Sequence, residues 1–156
     1  MSSNKLTFLS EEWVRHVVAT IERAKSTNES IKALASEFSL SVAYIINGLP
    51  KPLKELYNSD SVAIYIELNH GVIKRFVVGA EAPKESSPDF TVESDYIIAK
   101  KIFLGEINPA SAFIKRYIKV KPLMKLYMDP SFTAKSITIA NMLRKAIETV
   151  PTVFPE

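Results

Sequence analysis

The chain of 156 residues contains no cysteine, only four glycines and only two histidines. The absence of cysteine excludes disulfide bonds, thiolate catalysis and cysteine-ligated metal sites, and it accords with a reducing compartment. Because the glycines are scattered, no glycine-rich loop could hold a phosphate group. Neither Gly-x-Ser-x-Gly nor His-Glu-x-x-His occurs, and a surface role is favoured over catalysis for His16 and His70. The sequence therefore indicates no active site, no metal site and no cofactor.

Long apolar runs are also missing. None approaches the roughly 20 residues that span a bilayer, and Met1 to Leu9 has no apolar core of signal-peptide length. The net charge of +3 is too small to indicate nucleic-acid binding by itself. A chain of this length with 47% hydrophobic residues is typical of one globular domain. We expect a soluble, cytoplasmic protein with a single domain over residues 1–156.

Hydrophobic periodicity predicts a helical N-terminal part, residues 1–38. Ser10 begins a helix whose apolar residues from Trp13 to Ala24 recur at helical spacing. A second, shorter helix starts at Asn28, and its inward residues are Ile31, Leu34, Ala35 and Phe38. Both helices are interpreted as cover for the core.

The remaining part, residues 39–156, alternates between strand and helix patterns. Four segments have strand periodicity, and Asn69-His70-Gly71 is a hairpin turn because Asn and Gly tolerate positive φ. An apolar run, 97–104, predicts a helix, and Ser131 to Val150 predicts a long C-terminal one. We expect an α+β fold with a mixed sheet of about five strands and helices mainly on one face. The four strand segments are 41–47, 61–68, 72–78 and 90–93.

The stretch from Gly105 to Met128 carries the densest local signals. Gly105 can adopt the positive φ that ends a helix, Asn108 is a helix cap, and Pro109 suits the first helical position. Tyr117 to Lys121 alternates apolar and basic residues, which predicts a strand. We expect the chain to remain extended as far as Met128.

In order and spacing, this stretch resembles the sterol carrier protein family of lipid-binding domains. Where that family often carries glycine, this chain has Arg116, Pro122 and Lys125. The resemblance implies an apolar tunnel between sheet and helices and a non-catalytic role. The matching residues are Gly105, Asn108, Pro109, Ala112, Phe113, Lys119, Val120, Met124, Leu126 and Met128.

Two groups of residues are candidates for ligand binding. The apolar group could simply fill the core, but the resemblance favours residues that line a tunnel, and methionine adapts to varied acyl chains. The basic group, Lys115, Lys119 and Lys121, would meet an anionic headgroup, although it could equally form a solvated strand face. The apolar candidates are Phe103, Phe113, Met124, Leu126, Met128, Ile139, Met142 and Leu143.

The predicted function is non-catalytic binding of a fatty acid, a fatty acyl-CoA or a sterol-like lipid. A lipid or acyl-CoA is the expected ligand, with transient contact to a membrane surface, and nucleic acid is not an expected partner. Two alternatives remain open. The basic residues with Tyr117 and Tyr127 could form a nucleic-acid-binding module, or the protein could be an accessory subunit of an enzyme complex.

Overall fold

The computed structural model describes residues 5–37, 39–83 and 87–156, so Phe38 lies outside the described residues. Nine helical side chains also lie outside the described part: those of Ile31, Leu34, Ala35, Lys125, Leu126, Ile139, Met142, Leu143 and Ala146.

The described part forms seven helices and seven strands, in agreement with the predicted α+β class. The strands are β1 (Leu6–Thr7), β2 (Leu40–Asn47), β3 (Ser61–Asn69), β4 (Val72–Gly79), β5 (Phe90–Asp95), β6 (Lys119–Lys121) and β7 (Thr152–Val153). The helices are α1 (Glu11–Thr27), α2 (Glu29–Ser36), α3 (Lys51–Tyr57), α4 (Tyr96–Phe103), α5 (Pro109–Ile114), α6 (Leu123–Met128) and α7 (Pro130–Ile147). None of these helices combines the length and hydropathy that crossing a bilayer requires.

Five of the strands form one mixed sheet in the order β4-β3-β2-β5-β6. The pair β2–β5 is parallel, and the other three pairs are antiparallel. The predicted hairpin joins β3 to β4, with His70 at φ 49° and Gly71 at φ 79°. The prediction of a mixed sheet of about five strands is confirmed.

One face of this sheet carries the hydrophobic core. Tyr44 pairs with Ile64 and Ile46 with Val62, so their side chains project to the same side. Helix α1 covers that side with its buried stripe of Trp13, Val14, Val17 and Ile21. The helical stripe that the sequence predicted is therefore a packing surface.

The two ends of the chain meet beside this core. Strands β1 and β7 pair in parallel, and Trp13 Nε1 donates a hydrogen bond to Thr152 Oγ1 over 3.1 Å. Tyr96 donates its hydroxyl proton to the carbonyl of Pro155 at 2.7 Å. Sequence periodicity could not predict this pairing, because a strand of two residues has no period.

The segment before α7 differs from the prediction. The expected strand through Met128 is wrong, because β6 ends at Lys121 and the next six residues form helix α6. Pro122 has no N–H to donate to a strand ladder, and it is well suited to a position just before a helix. Helix α7 also ends at Ile147 rather than at the predicted Val150.

Candidate functional site

An apolar cavity of about 230 Å³ lies between the sheet and helices α5 and α7. Its floor comes from β2, β5 and β6, and its walls come from the two helices. None of the described side chains that line it is charged. The lining residues are Leu40, Val42, Phe90, Val92, Pro109, Ala110, Phe113, Ile118, Val120, Thr133, Ser136, Ile137 and Ala140.

Strand register explains the apolar floor. Val42 lies opposite Phe90 in the parallel pair, and Val92 lies opposite Val120 in the antiparallel one. Side chains alternate along a strand, so these four project to one face of the sheet. That face also carries the main core, two residues further along β2 at Tyr44. The cavity is therefore a part of the packed face that the described side chains leave unfilled.

The predicted helix start at Asn108 positions the α5 wall. Asn108 Oδ1 accepts a hydrogen bond from the backbone N–H of Ala110 at 2.8 Å, and Pro109 occupies the first helical position. Ala112 is fully buried, and its carbonyl accepts a hydrogen bond from the N–H of Tyr117 at 2.8 Å. This bond turns the chain back toward the sheet, which brings Ile118 and Val120 to the cavity.

The α7 wall presents Thr133, Ser136, Ile137 and Ala140. Their spacing of three and four residues places them on one side of the helix. Ser136 Oγ donates a hydrogen bond to the carbonyl of Phe132 at 2.9 Å, so its hydroxyl proton is not directed at a ligand. The cavity surface therefore offers dispersion and hydrophobic contacts rather than specific hydrogen bonds.

Tyr44 adds a polar group to the same face of the sheet. Its hydroxyl lies 2.7 Å from Ser94 Oγ, and burial raises the pKa of Tyr44 from 10.0 to about 12. At neutral pH the phenol is uncharged and its polar atom has a partner. Tyr44 therefore introduces no charge to this face of the sheet.

The predicted apolar binding residues lie in different parts of the structure. Phe113 lines the cavity, whereas Phe103 packs in the main core, with ring centroids 5.1 Å from Phe8 and 5.7 Å from Trp13. Met124 and Met128 are 68% and 77% exposed on α6. The side chains of the other four candidates lie outside the described part: Leu126, Ile139, Met142 and Leu143.

The three predicted headgroup lysines are all exposed. Lys119 and Lys121 flank Val120 on β6, and alternation along the strand directs them away from the face that Val120 shares with the cavity. Lys115 follows the last residue of α5, the helix that forms one cavity wall. These three lysines therefore lie on or next to elements that form the cavity but are not part of its described lining, and their role in headgroup binding stays a prediction.

Most of the lining was missed by sequence reasoning. Sequence analysis predicts a strand that contains Val42 and a helix that contains Ile137, but nothing marks these two as cavity residues rather than core residues. The available signal was the shared alternation of β2 and β5, which places Val42, Phe90 and Val92 on one face. Detecting the cavity needs the parallel register of those strands, which no local pattern gives.

Two other hollows in the described part contain charged side chains in their lining. A cleft of about 570 Å³ beside α4 contains the ion pair of Lys100 Nζ and Glu156 Oε1 at 3.1 Å. A third hollow, of about 390 Å³, is polar and includes Tyr65, with Arg75 5.6 Å from its ring centroid. The described residues contain no group of three or more His, Asp or Glu side chains able to hold a metal ion. Compared with these two hollows, the 230 Å³ cavity has an uncharged and mainly apolar lining in the described part.

Solved structures share this fold over almost their whole length. One is a conserved hypothetical protein of Thermus thermophilus, described as possibly a sterol carrier protein. It is 21% identical to this chain with a TM-score of 0.68, and the match covers 97% of this chain and 94% of that protein. A crystal structure of sterol carrier protein 2 is 22% identical with a TM-score of 0.65, covering 92% and 98%. The sterol carrier protein domain 2 of Helicoverpa armigera is 14% identical with a TM-score of 0.52, covering 97% and 100%.

No protein-family model matches this sequence, and no curated protein matches it. The structural likeness shows that the chain has the fold of sterol carrier proteins, as the Gly105–Met128 resemblance predicted.

Proposed function

We propose that this protein binds a hydrophobic ligand without catalysis, and that the ligand's apolar part occupies the cavity between the sheet and helices α5 and α7. The observation that carries this proposal is the uncharged, mainly apolar lining of that cavity. The same fold in a protein named sterol carrier protein 2 supports it. A fatty acid, a fatty acyl-CoA and a sterol-like lipid are the proposed ligand classes.

The energetics of the cavity favour an acyl chain. Each methylene removed from water contributes about 0.8 kcal/mol, which corresponds to roughly a fourfold gain in affinity. A dozen methylenes would give about 10 kcal/mol before the cost of lost ligand freedom, which is several kcal/mol or more. The expected net result is an affinity of roughly micromolar order.

The cavity volume constrains how the ligand is held. About 230 Å³ is smaller than the roughly 300–1,000 Å³ of typical ligand pockets. We infer that a long acyl chain enlarges the cavity on binding by displacing wall side chains of α5 or α7. Short helix α5 is the more movable wall, because it has only six residues.

An anionic headgroup would remain at the protein surface. No basic side chain appears in the described lining of the cavity, so a carboxylate or the phosphates of an acyl-CoA would be met by lysines outside that lining. Lys115, Lys119 and Lys121 stay our proposed headgroup contacts, and Lys115 is the best placed of them because it directly follows α5. A cytoplasmic location also stays a prediction from the sequence.

Native mass spectrometry of the purified protein, followed by organic extraction, tests the proposal. We expect adducts of lipid mass that disappear on extraction. A protein free of adducts that also fails to bind a fluorescent fatty acid would contradict ligand binding. Steep salt-dependent retention on a polyanion column would favour the nucleic-acid alternative, and neither behaviour would favour an accessory subunit.

A chain-length series tests the role of the cavity more specifically. Saturated fatty acids of increasing length should gain roughly fourfold in affinity per methylene until the cavity is full, and then level off. Isothermal titration of each acid gives the slope. Affinity that does not depend on chain length would place the binding outside the cavity.

A further inference from the structure

Exposed apolar side chains are concentrated in one short segment of the chain. Of the twelve large hydrophobic side chains that are exposed in the described part, six lie between residues 114 and 128. Met124, Tyr127 and Met128 are the most exposed of those on α6, at 68%, 70% and 77%. The six are Ile114, Tyr117, Leu123, Met124, Tyr127 and Met128. A concentration of exposed apolar side chains in one segment is typical of an interaction site.

The same segment has a charge of one sign. Between Ile107 and Met128 the sequence contains five basic residues and no acidic residue. The whole chain has a net charge of +3, so subtracting these five leaves −2 for the remainder. Lys115, Arg116, Lys119 and Lys121 are exposed, and none of them forms an ion pair within the part of the chain that the structure describes.

These apolar and basic residues lie on α5, β6, α6 and the links between them, next in sequence to residues that line the cavity. Helices α5 and α6 both pack against α7, and the cavity residues Phe113, Ile118 and Val120 alternate in sequence with the exposed ones. We name the set of Ile114, Lys115, Arg116, Tyr117, Lys119, Lys121, Leu123, Met124, Tyr127 and Met128 the α6 surface.

We propose that the α6 surface docks on an anionic lipid bilayer, with the apolar side chains of α6 inserted at the headgroup level and the basic residues around them on lipid phosphates and carboxylates. The charge complementarity favours an anionic surface, and interfacial segments combine apolar, tyrosine and lysine side chains in this way. This docking would place the cavity walls next to the bilayer. The inference deepens the proposed function by naming where ligand would enter, but docking itself does not depend on ligand binding.

Helix α1 offers no comparable surface, although its sequence is amphipathic. Its apolar stripe of Trp13, Val14, Val17 and Ile21 is buried in the core. Elsewhere in the described part, exposed apolar residues near basic ones occur at most in pairs: Val72 and Val77 flank Lys74 and Arg75 on β4, and Ile97 and Leu104 flank Lys100 and Lys101 at α4. Among the described residues, the segment from Ile114 to Met128 therefore has the highest concentration of exposed apolar side chains, and its described basic residues form no ion pair, unlike Lys100 with Glu156.

Fluorescence of an introduced tryptophan tests insertion. The native tryptophan, Trp13, is 1% exposed, so its emission should not respond to a bilayer. Tyr127→Trp should shift its emission to the blue with vesicles of phosphatidylcholine and phosphatidylserine, but not with phosphatidylcholine alone. Leu56→Trp, at a site 55% exposed on α3, is the matched control and should not shift.

Co-sedimentation with the same mixed vesicles tests the charge and the apolar side chains separately. Reversing Lys119 and Lys121 to Glu should weaken binding by at least about tenfold, since each juxtaposed lysine contributes about 1 kcal/mol. Lys74→Glu with Lys101→Glu changes the net charge equally at exposed sites elsewhere and should have a much smaller effect. Met124→Gln with Met128→Gln should also weaken binding, whereas Leu56→Gln should not.

Three results would overturn the proposal: unchanged emission of the Tyr127→Trp variant, equal vesicle binding by all of these variants, or α6-dependent dimers in sedimentation experiments without vesicle binding. Fatty-acid binding measured without vesicles separates docking from the proposed function. The Tyr127→Trp variant, which changes no residue predicted to bind the ligand, should retain that binding. If the native protein bound vesicles as expected but no fatty acid, the docking surface would stand and the cavity proposal would fall.

Discussion

Gly105 combines an unusual backbone conformation with a close approach of side chains. Its φ is +82°, and a Cβ at this position would lie 3.0 Å from Arg144 Nη1 and 3.3 Å from Glu148 Oε1, which form an ion pair of 2.7 Å. These are the ends of flexible side chains and can move, so the backbone strain dominates. Gly105→Ala should lower the free energy of unfolding by about 1–2 kcal/mol, measured by denaturant titration.

Gly79→Ala is the control for this variant. Gly79 lacks a positive φ, and its nearest neighbour atom, the carbonyl oxygen of Glu81, is at an ordinary 3.6 Å. Its substitution should cost much less. Equal losses for the two variants would contradict the role of the left-handed conformation at Gly105.

Arg116 adopts the same left-handed backbone conformation as Gly105, although it carries a side chain. Its φ is +63°, at a position where the sterol carrier protein family often carries glycine. Arg116→Gly should therefore stabilise the protein by about 0.5–1 kcal/mol, because relief of the left-handed strain exceeds the entropy cost of glycine. Asn58→Gly, at φ +51°, should gain less because asparagine tolerates this region. A lower melting temperature of Arg116→Gly would contradict this account.

Helix α5 depends on its cap. Asn108→Ala removes the acceptor of the 2.8 Å bond from the Ala110 N–H and should cost about 1 kcal/mol of stability. Since Pro109 and Ala110 line the cavity, affinity for a fluorescent fatty acid should also fall. Ser10→Ala removes the cap of α1 at Trp13 N and should lower stability without lowering affinity. Equal affinity losses for both variants would show that α5 is not a specific wall of the site.

Local signals predicted the elements where a cap or strict periodicity was present. The Gly105–Pro109 corner, the β3–β4 hairpin and the start of α7 all agree with the sequence. Helix α6 does not, because Met124, Leu126 and Met128 alternate as in a strand while Leu123, Met124 and Tyr127 equally fit a helix. Only the missing backbone N–H of Pro122 favoured the helix over the strand. The cavity depended on the register between β2 and β5, which are far apart in sequence.

At the scale of the whole molecule, three tyrosines join distant segments and respond together to alkaline pH. Tyr44 contacts Ser94, Tyr57 donates to the carbonyl of Leu9, and Tyr96 donates to that of Pro155. Burial raises the pKa of each from 10.0 to about 12, with smaller contributions from Glu11 at Tyr57 and from Glu156 at Tyr96. The contribution of these phenols to stability is present below pH 10.

As the pH rises from 10 to about 12, the unfolded chain loses its tyrosine protons before the folded one, so stability should fall. Tyr44→Phe should make this fall shallower, because phenylalanine does not ionise. Denaturation midpoints across this range, with the exposed Tyr127→Phe as control, give the slopes. Identical slopes for Tyr44→Phe and the native protein would contradict the assignment.

The cavity as the ligand site is the central claim, and a matched pair of substitutions on α7 tests it. Ala140 lines the cavity, whereas Ala134 is on the same helix but is not a lining residue. Ala140→Phe should fill much of the cavity and weaken fluorescent fatty-acid binding by at least about tenfold, while the melting temperature is retained. Ala134→Phe should bind like the native protein. If a folded Ala140→Phe variant bound fatty acid with native affinity, the ligand would not occupy this cavity.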